Sequence, residues 1–278
     1  MICTRPLYLK GMYLACGSCA SCRIARANDW SMRAIHEASC HDDNCFVTLT
    51  YDDDHLPEGG TLVKRHLQLF FKRLRKYLGD QRIKYFACGE YGDEGNRPHY
   101  HILIFGWRPT DDDLECVGKK GKRLYYSSRV IRDFWTYGYN TVDEINPKTA
   151  RYTAGYVQKK YKGDKAKEVY GDREPAFQLQ SQGIGLNWCV DNALLLETKH
   201  HITYNGKPKR LPRYYVKKLG IAPEIADKFL TPEYLVKMFM KHRVACALSP
   251  QQARAYNAEL AEDLSTREKI ANRRIKEE

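Results

Sequence analysis

The sequence predicts an α+β fold in which one central antiparallel sheet is flanked by helices. Three observations carry this. Runs of strand-forming residues occupy 46–51, 83–91 and 99–107, the last two joined by a turn-forming segment at 92–98. Between the first and second lies an apolar stripe at helical spacing, Leu67, Phe70, Phe71, Leu74, Tyr77 and Leu78. The order of strands and helices suits a sheet backed by helices, and no internal repeat competes with it. With 278 residues, 43% of them hydrophobic, the chain can bury one large core, or a main domain and a smaller one.

Taken in order, residues 1–22 are cysteine-rich, and 23–39 read as a helix with Ile24, Ala27, Trp30, Ala34, Ile35 and Ala38 on its apolar side. Residues 46–51 alternate large apolar and hydroxyl side chains and stop at an acidic loop, 52–60, that contains Pro57, Gly59 and Gly60. The helix at 63–78 should turn its basic residues outward. After the strands at 83–91 and 99–107, residues 108–123 read as a polar insertion, 127–135 as a short helix and 138–145 as a strand closed by Asn146 and Pro147. A helix follows over 149–161. From 162 onward the chain reads as mostly helical, with a hairpin turn at Asn205-Gly206 and a charged last helix that starts on Ser249 with Gln252 as its capping-box partner. Three segments result: 1–45, a cysteine-rich stretch and helix packed on the core; 46–162, the core; and 163–278, a basic, mostly helical region.

His99 and His101 sit two apart on a strand, so both imidazoles face one side while Tyr100, Ile102 and Ile104 face the other. If 83–91 and 99–107 form a hairpin that pairs Tyr91 with Pro98, Glu90 falls opposite His99 on the same face. Two histidines and a carboxylate then make a facial triad suited to Mg²⁺ or Mn²⁺ at a phosphate. Asp93 and Glu94 are the substitutes for Glu90, which is otherwise a surface carboxylate beside a turn. Tyr152 and Tyr156, four apart on a helix, stack their phenols on one side with Lys159 and Lys160 a turn further on. A phenol is a poor nucleophile at neutral pH, but a divalent ion polarising a phosphodiester, with lysines helping to neutralise it, makes attack feasible. Without the metal residues the same pattern would be a core stripe.

A net charge of +12 and a pI near 9.1 fit a polyanionic partner. One basic cluster holds Lys64, Arg65, Lys72, Arg73, Arg75, Lys76, Arg82 and Lys84. Another holds Lys199, Lys207, Lys209, Arg210, Arg213, Lys217 and Lys218, interleaved with Tyr204, Tyr214 and Tyr215 on which unpaired bases can stack. Lys64, Arg65, Arg73, Lys76, Arg97, Lys209, Arg210 and Arg213 are the candidate DNA contacts. Residues 1–14 lack the pattern of a secretion signal, and no apolar run approaches the roughly 18 residues a membrane helix needs. A reducing cytoplasm is therefore expected, where the ten cysteines serve as ligands or buried thiols. Cys16, Cys19 and Cys22 bring three thiolates into one loop, and Cys3 can complete a four-thiolate structural zinc site. Cys40 or Cys45 as fourth ligand, an iron-sulfur cluster, or no metal are the alternatives; Cys88, Cys116, Cys189 and Cys246 read as isolated thiols.

Residues 46–51, the Pro98-His99-Tyr100-His101 run, and the paired tyrosines followed by Lys159-Lys160 resemble, in this order, the three motifs of the His-hydrophobic-His (HUH) replication initiators. The likeness is closest to initiators of small single-stranded DNA phages, the microviruses of the gokushovirus type, and covers about residues 1–162. It includes Cys16-Gly17-Ser18-Cys19-Ala20-Ser21-Cys22-Arg23, the stretch 42–51, and Gly89-Glu90-Tyr91-Gly92 leading into 97–101. Tyr100 stands where the family carries an aliphatic residue. The resemblance implies an RRM-like or ferredoxin-like core and a site-specific nickase of origin DNA. One tyrosine would form a 5′-phosphotyrosyl link and free a 3′-OH for rolling-circle synthesis, and the second would act after one circuit so that the strand is rejoined. It also implies host helicase and polymerase as partners and the host bacterial cytoplasm as the place of action. The competing class is a non-catalytic, zinc-stabilised DNA-binding regulator, which shares the charge, aromatics and cysteines but needs no phenols in register with a metal-binding strand.

Overall fold

The computed structural model describes residues 3, 7–9, 12–92, 95–121, 123–156, 164–204 and 206–221. In chain order its elements are Leu7–Leu9 (β1), Met12–Leu14 (β2), Ala20–Ala38 (α1), Asn44–Tyr51 (β3), Lys64–Leu78 (α2), Lys84–Tyr91 (β4), Pro98–Phe105 (β5), Leu114–Lys120 (β6), Arg123–Ser128 (β7), Arg129–Phe134 (α3) and Gly138–Asp143 (β8). Then come Pro147–Gly155 (α4), Asp164–Tyr170 (α5), Phe177–Gln180 (β9), Leu186–Asp191 (α6), Ala193–Lys199 (α7), His201–Tyr204 (β10), Lys207–Arg210 (β11) and Arg213–Lys218 (α8). The chain divides into two compact units, residues 31–188 and residues 1–30 with 189–278.

The unit of residues 31–188 is built on a seven-stranded antiparallel sheet in the order β6-β7-β8-β3-β5-β4-β9. Alternation along each strand gives the sheet two unlike faces. One face carries Val47, Leu49, Tyr51, Ala87, Tyr100, Ile102 and Ile104, closed over by Leu67, Phe70, Phe71 and Leu74 of α2 and by Ile131, Phe134 and Trp135. Tyr100 belongs to this buried face, where its hydroxyl accepts from the Val63 amide at 2.9 Å and donates to the Val63 carbonyl at 3.1 Å. Opposite-facing rows run straight across the strands: Tyr139–Thr50–His99–Glu90 and Thr141–Thr48–His101–Cys88.

Where the elements differ from the sequence reading, local chemistry explains why. The insertion at 108–123 is not irregular: after a short 3₁₀ turn at Asp111–Asp113 it forms β6 and runs into β7. These two strands lie at the sheet edge, where solvent-facing charges such as Glu115 and Lys119 obscure an alternating pattern. Residues 127–128 belong to β7, because the Ser128 hydroxyl accepts from the Ile131 amide at 3.0 Å and starts α3 at Arg129. Asn146 and Pro147 do more than end a strand, which already stops at Asp143. The Asn146 side chain accepts from the Lys148 and Thr149 amides, Thr149 Oγ1 accepts from the Asn146 amide at 2.9 Å, and Pro147 opens α4. Beyond residue 162, α5 to α8 are accompanied by β9 and by the hairpin β10–β11, whose strands flank the expected turn at Gly206. β9 joins the main sheet beside β4, so that sheet draws a strand from beyond residue 162. The proposed last helix at Ser249 and Gln252 lies outside the described residues.

Gly89 sits in β4 between Cys88 and Glu90, and a Cβ there would come within 2.8 Å of the Phe177 ring and 3.2 Å of Leu62. Gly89→Ala is therefore expected to lower stability by about 1–3 kcal/mol through overpacking. Denaturant unfolding of the full chain checks this; an unchanged midpoint would mean that β9 yields freely.

Candidate active site

The register that pairs Tyr91 with Pro98 sets Glu90 directly across from His99. His99 Nε2 lies 2.8 Å from Glu90 Oε1, and His101 Nε2 lies 3.5 Å from the same oxygen. One ligand atom from each of the three residues lies within 4.8 Å of the others. Glu90 is 2% exposed, and a buried carboxylate requires compensating charge. The imidazole arrangement meets that need. His99 Nδ1 is 3.1 Å from the Arg97 carbonyl, an acceptor, so Nδ1 carries the proton and a neutral ring turns its Nε2 lone pair toward Glu90. An acceptor facing an acceptor at 2.8 Å calls for a proton or a cation between them. Thr48 Oγ1, 3.1 Å from His101 Nδ1, fixes the second ring in the same way. Two imidazole nitrogens and a carboxylate oxygen, held on adjacent strands, fit a divalent ion.

α4 brings the two phenols to this group. Its buried side is made of Thr149, Ala150, Thr153 and Ala154, small residues that allow close approach to the sheet, and Cys88 Sγ donates to the Thr153 carbonyl at 3.2 Å. The Tyr156 ring stacks on His101 with centroids 4.9 Å apart and planes 9° apart, while Tyr152 meets His101 edge-on, also at 4.9 Å. The two phenol rings are themselves 4.9 Å apart, and Tyr152 packs edge-on to Phe46. Burial pushes the Tyr156 phenol far above its usual range, and the adjacent Glu90 and Tyr152, both hydrogen-bonded to it, add to the effect. The phenol therefore holds its proton unless positive charge enters the site.

The other candidates are dispersed. Asp93, Glu94, Lys159, Lys160 and Tyr161 lie outside the described residues. Lys64, Arg65, Arg73 and Lys76 are on α2, which covers the sheet face opposite the histidines. Lys64 pairs with Glu174, and Arg73 donates to the Phe134 carbonyl at 2.8 Å. Arg97 is held by Asp53 at 2.6 Å and by the Tyr51 carbonyl at 3.0 Å, so it braces the loop after β3. Lys209, Arg210 and Arg213 are exposed and belong to the other compact unit. Cys3, Cys16, Cys19 and Cys22 form a second group of metal-ligating atoms, which does not include Cys40 or Cys45, and no disulfide joins the described cysteines. Sequence reasoning missed Thr48 and Tyr139. Both alternate onto the histidine face, but that shows only once β3 is known to lie between β5 and β8. Tyr139 is 69% exposed and offers a flat aromatic surface two strands from His99.

An antiparallel sheet presenting two histidines and a glutamate beside two tyrosines defines a metal-binding architecture with two candidate nucleophiles. Residues 44–161 match the family of the replication-associated protein ORF2. The chain is 34% identical over 209 residues to the replication-associated protein ORF4 of Chlamydia phage 1, covering 73% of this chain and 52% of that protein. It is 34% identical over 223 residues to the replication-associated protein VP4 of Bdellovibrio phage phiMH2K, covering 74% and 67%. To the replication-associated protein ORF2 of Spiroplasma virus 4 it is 33% identical over 230 residues, covering 76% and 69%. The chain belongs to this family of replication-associated proteins of microvirus-type phages. Its match spans about half the length of the Chlamydia phage protein. No solved structure matches the chain, and no helix among the described residues is long and apolar enough to cross a membrane.

Proposed function

We propose that this protein initiates rolling-circle replication by nicking single-stranded origin DNA through tyrosine attack. The observation that carries the reading is the packing of both Tyr152 and Tyr156 on His101, beside Glu90 and His99. Glu90, His99 and His101 would hold Mg²⁺ or Mn²⁺, which supplies positive charge to the phosphate oxygens and favours the phenolate. The phenolate oxygen of one tyrosine attacks the scissile phosphorus. The P–O bond to the 3′ oxygen breaks, that oxygen takes up a proton as a free 3′-OH, and the 5′ phosphate remains on the tyrosine. Lys159 and Lys160 are assigned to neutralising the phosphate. The second phenol, one helical turn away, cleaves the regenerated origin after one circuit, and the 3′-OH then closes the released strand. Thr50, Tyr139 and Thr141, which share the histidine face, offer the adjoining surface on which the strand would lie, with Tyr139 stacking on a base. The work would take place in the host bacterial cytoplasm, with host helicase and polymerase extending the 3′ end.

Incubation with origin-containing single-stranded DNA and Mn²⁺, followed by denaturing electrophoresis, tests the reading. A covalent protein–DNA adduct is expected, lost when Tyr152→Phe and Tyr156→Phe are combined. An adduct that survives the double substitution, or none from the unaltered protein, overturns it.

A further inference from the structure

We propose that Cys3, Cys16, Cys19 and Cys22 bind a single zinc ion that staples the short β1–β2 hairpin to the start of α1, separately from the ion expected at Glu90. The four sulfurs lie within 4.8 Å of one another, and those of Cys3 and Cys19 are 3.8 Å apart. Zinc–sulfur bonds of about 2.3 Å in tetrahedral geometry give sulfur–sulfur edges of roughly 3.8 Å. A cluster of two or more irons would spread its thiolates over different metal atoms, and so farther apart.

The backbone is arranged to hold negative sulfur. The Cys16 amide donates to Cys3 Sγ at 3.3 Å, and the Ser18 and Cys19 amides donate to Cys16 Sγ at 3.5 and 3.3 Å. Gly17, at a φ of +73°, makes the tight turn that aims those amides. Two arginines of α1 latch the same turn, Arg23 donating to the Ser18 carbonyl at 2.9 Å and Arg26 to the Gly17 carbonyl at 3.0 Å. α1 itself begins at Ala20, inside the cysteine run, so its positive N-terminal end also faces the cluster.

The hairpin gives a reason for the ion. β1 and β2 have three residues each, and Leu7 and Tyr8 are exposed, so two-stranded pairing with little burial is marginal by itself. Cys3 and Cys16 bracket the hairpin, and a metal bond between them closes it. Four soft thiolates select zinc over Mg²⁺ or Mn²⁺, whereas the glutamate-containing triad favours the harder ions, so one chain sorts two metals by donor chemistry.

Metal analysis of the purified full-length protein should give roughly one zinc per chain. Cys16→Ser and Cys19→Ser should each lose most of it, and Glu90→Ala should keep it. If the cysteine variants do not fold, cobalt titration of the reduced, metal-stripped protein replaces them. Tetrahedral cobalt–thiolate absorption bands that zinc abolishes are expected. Zinc that persists in Cys16→Ser, iron with sulfur-to-iron charge-transfer absorption, or no cobalt–thiolate bands in the reduced protein would overturn the assignment. None of these readouts depends on DNA cleavage.

Discussion

His101→Ala is expected to lower adduct formation by about 10²–10³-fold or more, as for loss of a group that stabilises transition-state charge, while leaving single-stranded DNA binding within a few-fold. His101 is 4% exposed and lies at the meeting point of the site, between Thr48 on β3, Glu90 on β4 and the two tyrosines of α4. Removing its imidazole takes away one donor of the triad and the ring on which both phenols rest. Glu90→Gln is the sharper companion, since it keeps the size of the side chain and deletes only the charge. Under the proposed function it should lose cleavage almost as completely. Adduct yield by denaturing electrophoresis and affinity by fluorescence anisotropy, measured on the same oligonucleotide, separate the two effects. Parallel loss of binding and cleavage in both variants would mean that the triad holds the sheet together and does no chemistry.

Glu37→Gln should cost about 3 kcal/mol or more, the usual penalty for breaking a buried ion pair, and lower the melting temperature by roughly 6 °C or more. The Glu37 side chain, on α1, is fully buried, with Lys84 Nζ and His41 Nε2 each 2.8 Å from one oxygen and the Gly185 amide 2.6 Å from the other. Three donors from β4, the turn after α1 and the loop before α6 thus converge on one carboxylate. Burial by itself would raise the Glu37 pKa, but Lys84, His41 and the Gly185 amide outweigh it and hold the carboxyl below the ordinary carboxylate value of 4.5. Its proton is bound more tightly by the unfolded chain than by the folded one. Its stabilisation is therefore present above pH 4.5 and drains away as the pH falls through the lower folded value. Thermal melts from pH 7 to 3 should show a steeper acid loss in the unaltered protein than in Glu37→Gln. Parallel curves would refute the assignment.

Local pattern decided a good deal of this molecule. The two-residue period of a strand places His99 and His101 together and turns Tyr100 to the other face, where its hydroxyl meets Val63. The period of a helix stacks Tyr152 with Tyr156, and the hydrophobic stripe of α2 marks its buried side correctly. Elements without a strong period were less legible. β6 and β7 are edge strands whose charges hide the alternation, and β9, with four residues, is too short to stand out. The double role of Asn146 and Pro147 appears only when Thr149 is seen closing the capping box.

Charge clustering was the least informative signal about place. α2 carries Lys64, Arg65, Arg73 and Lys76, yet it covers the sheet face opposite the histidines, because its apolar stripe and not its charge chooses where it packs. Thr48 and Tyr139 show the converse. Nothing in their own segments marks them, and they share the histidine face only because β3 lies between β5 and β8.

By itself the sequence determined the strand carrying the histidines, the helix carrying the tyrosines, the cysteine run and the family to which they belong, since each is written in residues close along the chain. Only the tertiary structure decided that Glu90 faces His99 in register, that both phenols rest on His101, and that Cys3 returns to Cys16. Those contacts depend on strand order, pairing register and the close approach that Ala150, Thr153 and Ala154 allow α4, which are settled by packing across the whole sheet and not by any local period.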